Sequence, residues 1–93
     1  MIPGQLTLLM QHPNYVKQES VNGGVQLLYD CANGYGASVV QHDFSYGGKK
    51  GLFELAVLMD GYICYDTPIT DGVLGWLKVS DVLEVLDKIK ELN

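Results

Sequence analysis

Ninety-three residues, 47% hydrophobic and 18% charged, describe a single globular domain with one core and exclude a disordered chain. The formal net charge is −5 and lysine supplies all six basic residues, which argues against direct nucleic-acid binding, a task that leans on arginine and a basic surface. No apolar run approaches the ~20 residues of a membrane span, and Met1 to Met10 lacks the basic start and cleavage site of a signal peptide, so a soluble intracellular protein is expected.

Ile2-Pro3-Gly4 reads as a loose start. Leu6, Leu9 and Met10 stand at i, i+3 and i+4, which predicts a short amphipathic helix from about Gly4 to His12. Pro13 ends it, since the residue before proline avoids helical backbone angles. His12 is simply the end of this helix. Asn14-Tyr15-Val16 reads as a turn that packs Tyr15 and Val16 inward, and polar Lys17 to Gly24 reads as a connector.

A first strand begins near Val25 and runs to a two-residue type I′ turn at Asn33-Gly34, where both positions tolerate positive φ. That register sets Cys31 opposite Gly36, Tyr29 opposite Ser38 and Leu27 opposite Val40 on one face. Leu28, Asp30, Ala37 and Val39 then share the other. A second strand runs to about His42, and the long loop Asp43 to Gly51 follows. Leu52 to Met59 is apolar except for Glu54 and reads as a central strand. Asp60-Gly61 turns it into a fourth strand, with Met59 opposite Tyr62, Val57 opposite Cys64 and Leu58 opposite Ile63.

Pro68 stops the fourth strand. Thr70-Asp71 resembles a helix N-cap, predicting a short helical turn through Val73, Leu74 and Leu77 with Trp76 near its end. Ser80 caps a last helix whose stripe is Val82, Val85, Leu86, Ile89 and Leu92. Asp81 and Glu84 near its start and Lys88 and Lys90 near its end suit the helix dipole. The expected fold is α+β over residues 1–93: a short N-terminal helix, a four-stranded antiparallel meander with two Asx-Gly hairpins, and C-terminal helices packed on the sheet.

The residues offer little chemistry. Ser38 and His42 share a face but stand ~13 Å apart along an extended strand, and no nucleophile elbow accompanies them or Asp43. Cys31 and Cys64 read as small buried apolar groups, and their spacing matches no zinc pattern. No catalytic residue, metal site or cofactor is therefore expected. Glu54 needs a partner if buried; a partly exposed face or a pairing with Lys49 or Lys50 is the simpler reading. The segment Phe44, Tyr46, Gly47, Gly48, Lys49 and Lys50 is the candidate binding site. Its aromatics suit a protein contact, and its amides and lysines suit an anion, although it lacks the order of a P-loop.

Four stretches together, Gly34-Tyr35-Gly36-Ala37-Ser38-Val39-Val40, Ser45-Tyr46-Gly47-Gly48, Gly51-Leu52-Phe53-Glu54-Leu55-Ala56-Val57-Leu58 and Thr67-Pro68-Ile69-Thr70-Asp71, carry a resemblance. From about Tyr15 to Leu92 the chain resembles a family of small uncharacterised proteins from tailed bacteriophages. The family lends no catalytic role to any residue here. The resemblance implies a phage accessory protein of the host cytoplasm, non-enzymatic, that binds and inhibits or redirects a host protein. Anti-defence inhibitors of the anti-CRISPR type are similar in size. The alternatives are a protein that sequesters a small molecule or nucleotide, and a virion or assembly component. No membrane partner is expected, and the edges of so small a sheet leave a homodimer open.

Overall fold

The computed structural model describes residues 3–92. Among the described residues six strands form one sheet, β1 (Tyr15–Val21), β2 (Gly24–Asp30), β3 (Tyr35–Gln41), β4 (Phe53–Met59), β5 (Tyr62–Ile63) and β6 (Val73–Leu77), and two α-helices, α1 (Pro3–Met10) and α2 (Val79–Lys90), flank it in the chain. The α+β class is as expected, but the sheet has six strands where the sequence suggested four. Ile2 of the anticipated loose start lies outside the described residues, and Pro3 and Gly4 belong to α1.

The first four strands form an antiparallel meander. The far side of β4 is divided between two short partners. β5 pairs with its end at Leu58 and Met59, and β6 pairs with Phe53, Leu55 and Ala56. Hence β4 is the central strand its apolar run suggests. Its hairpin into β5 has the expected register, with Met59 opposite Tyr62, Leu58 opposite Ile63, and the Cys64 amide donating to the Val57 carbonyl at 2.8 Å. Beyond Ile63 that strand does not continue.

One face of the sheet is the core. Val25, Leu27, Tyr29, Ala37, Val39, Phe53, Leu55 and Val57 point from it toward Leu9 of α1 and Val82, Leu86 and Ile89 of α2. The α2 stripe is thus buried as its spacing requires, with Val85 and Leu92 packed at its margin. The opposite face mixes Gln26, Leu28, Ser38, Val40, Glu54, Ala56 and Leu58, which alternate with the core residues along their strands.

Three segments differ from expectation in strand assignment or register. First, Lys17 to Val21 is strand and not connector, and the turn between β1 and β2 is Asn22-Gly23, with φ of 47° and 78°. These angles fit the type I′ hairpin turn. The strand carries no alternating pattern because it is exposed along most of its length and has no buried face to impose one. Tyr15 does pack on the core, edge-on to Tyr29 at 5.9 Å, but Val16 is exposed at a bulge.

Second, the β2–β3 register is slipped by one residue from the expected one. Leu27 stands opposite Val39, Tyr29 opposite Ala37 and Asp30 opposite Gly36. The connection is wider than a two-residue turn, with Ala32 at φ 63° and Gly34 at φ 88°. A one-residue slip exchanges the neighbours on each face, and this one gathers Leu27, Tyr29, Ala37 and Val39 on the buried side. The Asn33 side chain is held elsewhere: its amide nitrogen faces the carbonyls of Ile89, Lys90 and Leu92 at 2.9, 3.2 and 3.0 Å, closing the C-terminus of α2.

Third, Val73–Leu77 is a strand, not a helical turn. The glycines at 72 and 75 weaken a helix, and the open side of β4 offers hydrogen bonds in its place. Ser80 also yields its anticipated role, because α2 begins at Val79 with Lys78 at the N-cap. The Asp81 carboxylate accepts the Lys78 backbone N–H at 2.9 Å, which leaves Ser80 within the first turn.

Candidate functional site

The loop from Asp43 to Leu52 folds back against β6. Its backbone is largely satisfied within the protein. Ser45 donates its amide to the His42 carbonyl, Gly48 to Ser45, Lys50 and Leu52 to Gly47, and Gly51 to Gly48. The Phe44 amide donates to Nδ1 of His42 at 3.1 Å, and the Ser45 hydroxyl donates to the His42 carbonyl at 2.9 Å. Gly48 to Lys50 form one 3-10 turn, with Gly47 and Gly51 in left-handed conformation at its ends.

Two bonds tie Tyr46 of this loop to the sheet. The Tyr46 amide donates to Oε1 of Glu54 at 3.0 Å, and the Trp76 amide donates to the Tyr46 carbonyl at 3.2 Å. The partner of Glu54 is therefore a backbone amide, not Lys49 or Lys50. Glu54 lies opposite an irregularity in β6. Phe53 pairs with Leu77 and Leu55 with Leu74, so Gly75 and Trp76 together face one residue of β4. Trp76 takes φ 58°, a conformation that costs a residue with a Cβ about 1–2 kcal/mol.

Glycine makes the close approach available. A Cβ on Gly75 would lie 2.5 Å from the Tyr46 Cβ, and one on Gly47 would lie 2.9 Å from Leu52 and 3.0 Å from the Trp76 backbone. The result is that Tyr46 and Trp76 are brought together from two segments, and both stand exposed, as does Phe44 two residues before Tyr46. Phe44 is 80% exposed, Tyr46 59% and Trp76 58%. Lys49 and Lys50 stand exposed on the same loop, while Gly47 is buried and Gly48 half-buried. The sequence singled out Phe44, Tyr46, Gly47, Gly48, Lys49 and Lys50. It did not reveal Trp76 as their neighbour, since the long-range pairing of β6 with β4 is what brings it there.

The remaining polar candidates are engaged separately. The Ser38 hydroxyl accepts from the Gln26 side chain at 2.8 Å on the open sheet face. His42 supports the start of the loop, with its ring 6.3 Å from that of Phe44. His12 does more than end a helix. Its Nδ1 accepts the Asn14 amide at 3.1 Å, so Nε2 carries the proton toward Asp87 of α2 at 3.4 Å. Its ring also meets Tyr29 edge-on at 5.8 Å. Cys31 is buried, which pushes its thiol pKa up, and Cys64 is half-buried; both are free thiols.

Among the described residues no group of three His, Cys, Asp or Glu side chains is placed to hold a metal ion, and no helix is long and apolar enough to cross a membrane. A cleft of about 440 Å³ lies between the β2–β3 and β4–β5 turns, lined by Tyr29, Asp30, Tyr35 and Leu58 among others. No family model, curated protein or solved structure matches the chain.

Proposed function

We propose that the protein is a non-enzymatic accessory protein, of the tailed-phage kind its motifs resemble, that binds a host protein through Phe44, Tyr46 and Trp76. It acts in the host cytoplasm and inhibits or redirects that partner, with a defence component as one class of target. The observation that carries this reading is the exposed aromatic trio on a hydrogen-bonded support. Tryptophan and tyrosine are the residues that most often dominate binding energy at interfaces, and a fixed loop loses little entropy on docking. The positive φ of Trp76 adds support, because backbone strain kept at an exposed tryptophan serves the placement of that side chain better than it serves stability. The hydrogen bonds made by the loop amides speak against an anion-binding role for the same segment.

The test is affinity purification of the tagged protein from host cells with mass spectrometry, repeated with Phe44→Ala and Trp76→Ala. A stoichiometric host protein captured by the parent and lost from both variants, each of which still folds, is the expected result. Capture that is indifferent to these substitutions would sink the assignment of the site. Recovery of no specific host protein would sink the function.

A further inference from the structure

The outer edge of β1 is unpaired among the described residues, and from Val16 to Ser20 the strand is exposed. Its hydrogen-bonding phase follows from the neighbouring bonds. The two-residue turn makes Val21 and Gly24 a bonded pair, and alternation then bonds Glu19 to Gln26 and Lys17 to Leu28. The Asp30 amide, donating to the Asn14 carbonyl at 2.9 Å, has the same phase. Gln18 and Ser20 therefore direct their backbone N–H and C=O groups away from the sheet.

We infer that this edge pairs with the same edge of a second copy of the chain, antiparallel, about a two-fold axis at Gln18. Only this register matches the charges. It sets Lys17 opposite Glu19 of the partner subunit and Glu19 opposite Lys17 of the partner subunit, while the two Gln18 residues exchange a pair of backbone bonds. A two-fold axis at Lys17 or at Glu19 would put like charges face to face. An axis at Ser20 would set Glu19 against Val21 and carry Lys17 past the end of the strand. Within one chain Lys17 and Glu19 already lie on one face, 3.0 Å apart, so pairing completes a four-charge cluster of alternating sign.

The association closes at two. A two-fold contact uses each β1 edge once, and the Val16 bulge ends the regular ladder. At the other side of the sheet the edge is broken between β5 and β6, so it offers no long strand for growth into a fibre. The aromatic surface is built on β6 and the loop before β4, at the opposite side of the sheet from β1, and remains free in both copies.

Sedimentation equilibrium on the full chain tests this, with circular dichroism confirming that each variant folds. The parent is expected to reach twice the monomer mass below about 1 mM. Lys17→Glu alone and Glu19→Lys alone each place like charges across the axis and are expected to stay monomeric. Mixed in equal amounts, these two variants are expected to form a heterodimer at least about tenfold tighter than either homodimer. Neither variant has the Lys17–Glu19 pair within its own chain, so recovery on mixing reports the contact between copies alone. A parent that remains monomeric through that range overturns the inference. So does a mixture that associates no better than its components.

Discussion

The Trp76 amide donates to the Tyr46 carbonyl at 3.2 Å, which ties the loop before β4 to the bulge in β6 and makes one surface of two distant segments. Gly75 permits that approach, since any Cβ there meets Tyr46. Gly75→Ala is expected to push the loop off β6 and to cost about 1–3 kcal/mol in urea denaturation. Trp76 is the sole tryptophan, so its emission spectrum and its quenching by iodide report the same displacement directly. Gly4→Ala provides the comparison. It sits in α1 with open space around it, and it is expected to leave both the spectrum and the stability unharmed.

Asn33 joins the β2–β3 connection to the end of α2 through one side-chain amide facing three carbonyls, and its Oδ1 accepts the Tyr35 amide at 3.0 Å. Asn33→Ala leaves those carbonyls without this donor and is expected to cost about 1–3 kcal/mol. Asn33→Asp is expected to cost more, because a carboxylate would face carbonyl oxygens at the negative end of a helix. Unfolding followed between pH 7 and pH 3 separates the two. Only the Asp variant should regain stability relative to the parent at low pH, as its carboxyl takes up a proton and can donate again.

Tyr29 is buried, and its hydroxyl donates to the Leu9 carbonyl at 2.7 Å, linking β2 to the last turn of α1. Burial raises the pKa of its phenol, and the neighbouring Tyr15 raises it further. A phenol whose folded-state pKa lies above its unfolded value stabilises the fold fully below the ordinary tyrosine range, about pH 10. That stabilisation is lost as pH rises toward the folded pKa, at a limiting slope of about 1.4 kcal/mol per pH unit. Urea midpoints measured from pH 8 to pH 11.5 should fall at the alkaline end, and more steeply in the parent than in Tyr29→Phe. Equal slopes in the two proteins would show that Tyr29 ionises as readily folded as unfolded.

The sequence by itself determined the parts of this protein that depend on local pattern. The α2 stripe, the apolar run of β4 and the Asp60-Gly61 hairpin carry their own periodicity or turn chemistry, and each lies where that pattern puts it. The aromatic loop was legible as a candidate from composition alone. Tertiary structure decided what has no local signature. β1 shows no alternation because most of it is exposed, so only its ladder with β2 defines it as a strand. Asn33-Gly34 suits a tight turn, yet burial of Leu27, Tyr29, Ala37 and Val39 on one face, with Asn33 drawn to the end of α2, selects the slipped register. Val73–Leu77 became a strand because the unpaired half of β4 offers backbone hydrogen bonds that a glycine-flanked helical turn cannot match. That same pairing brings Trp76 beside Tyr46, a neighbourhood set by contacts far apart in the chain and therefore invisible in any short window of it.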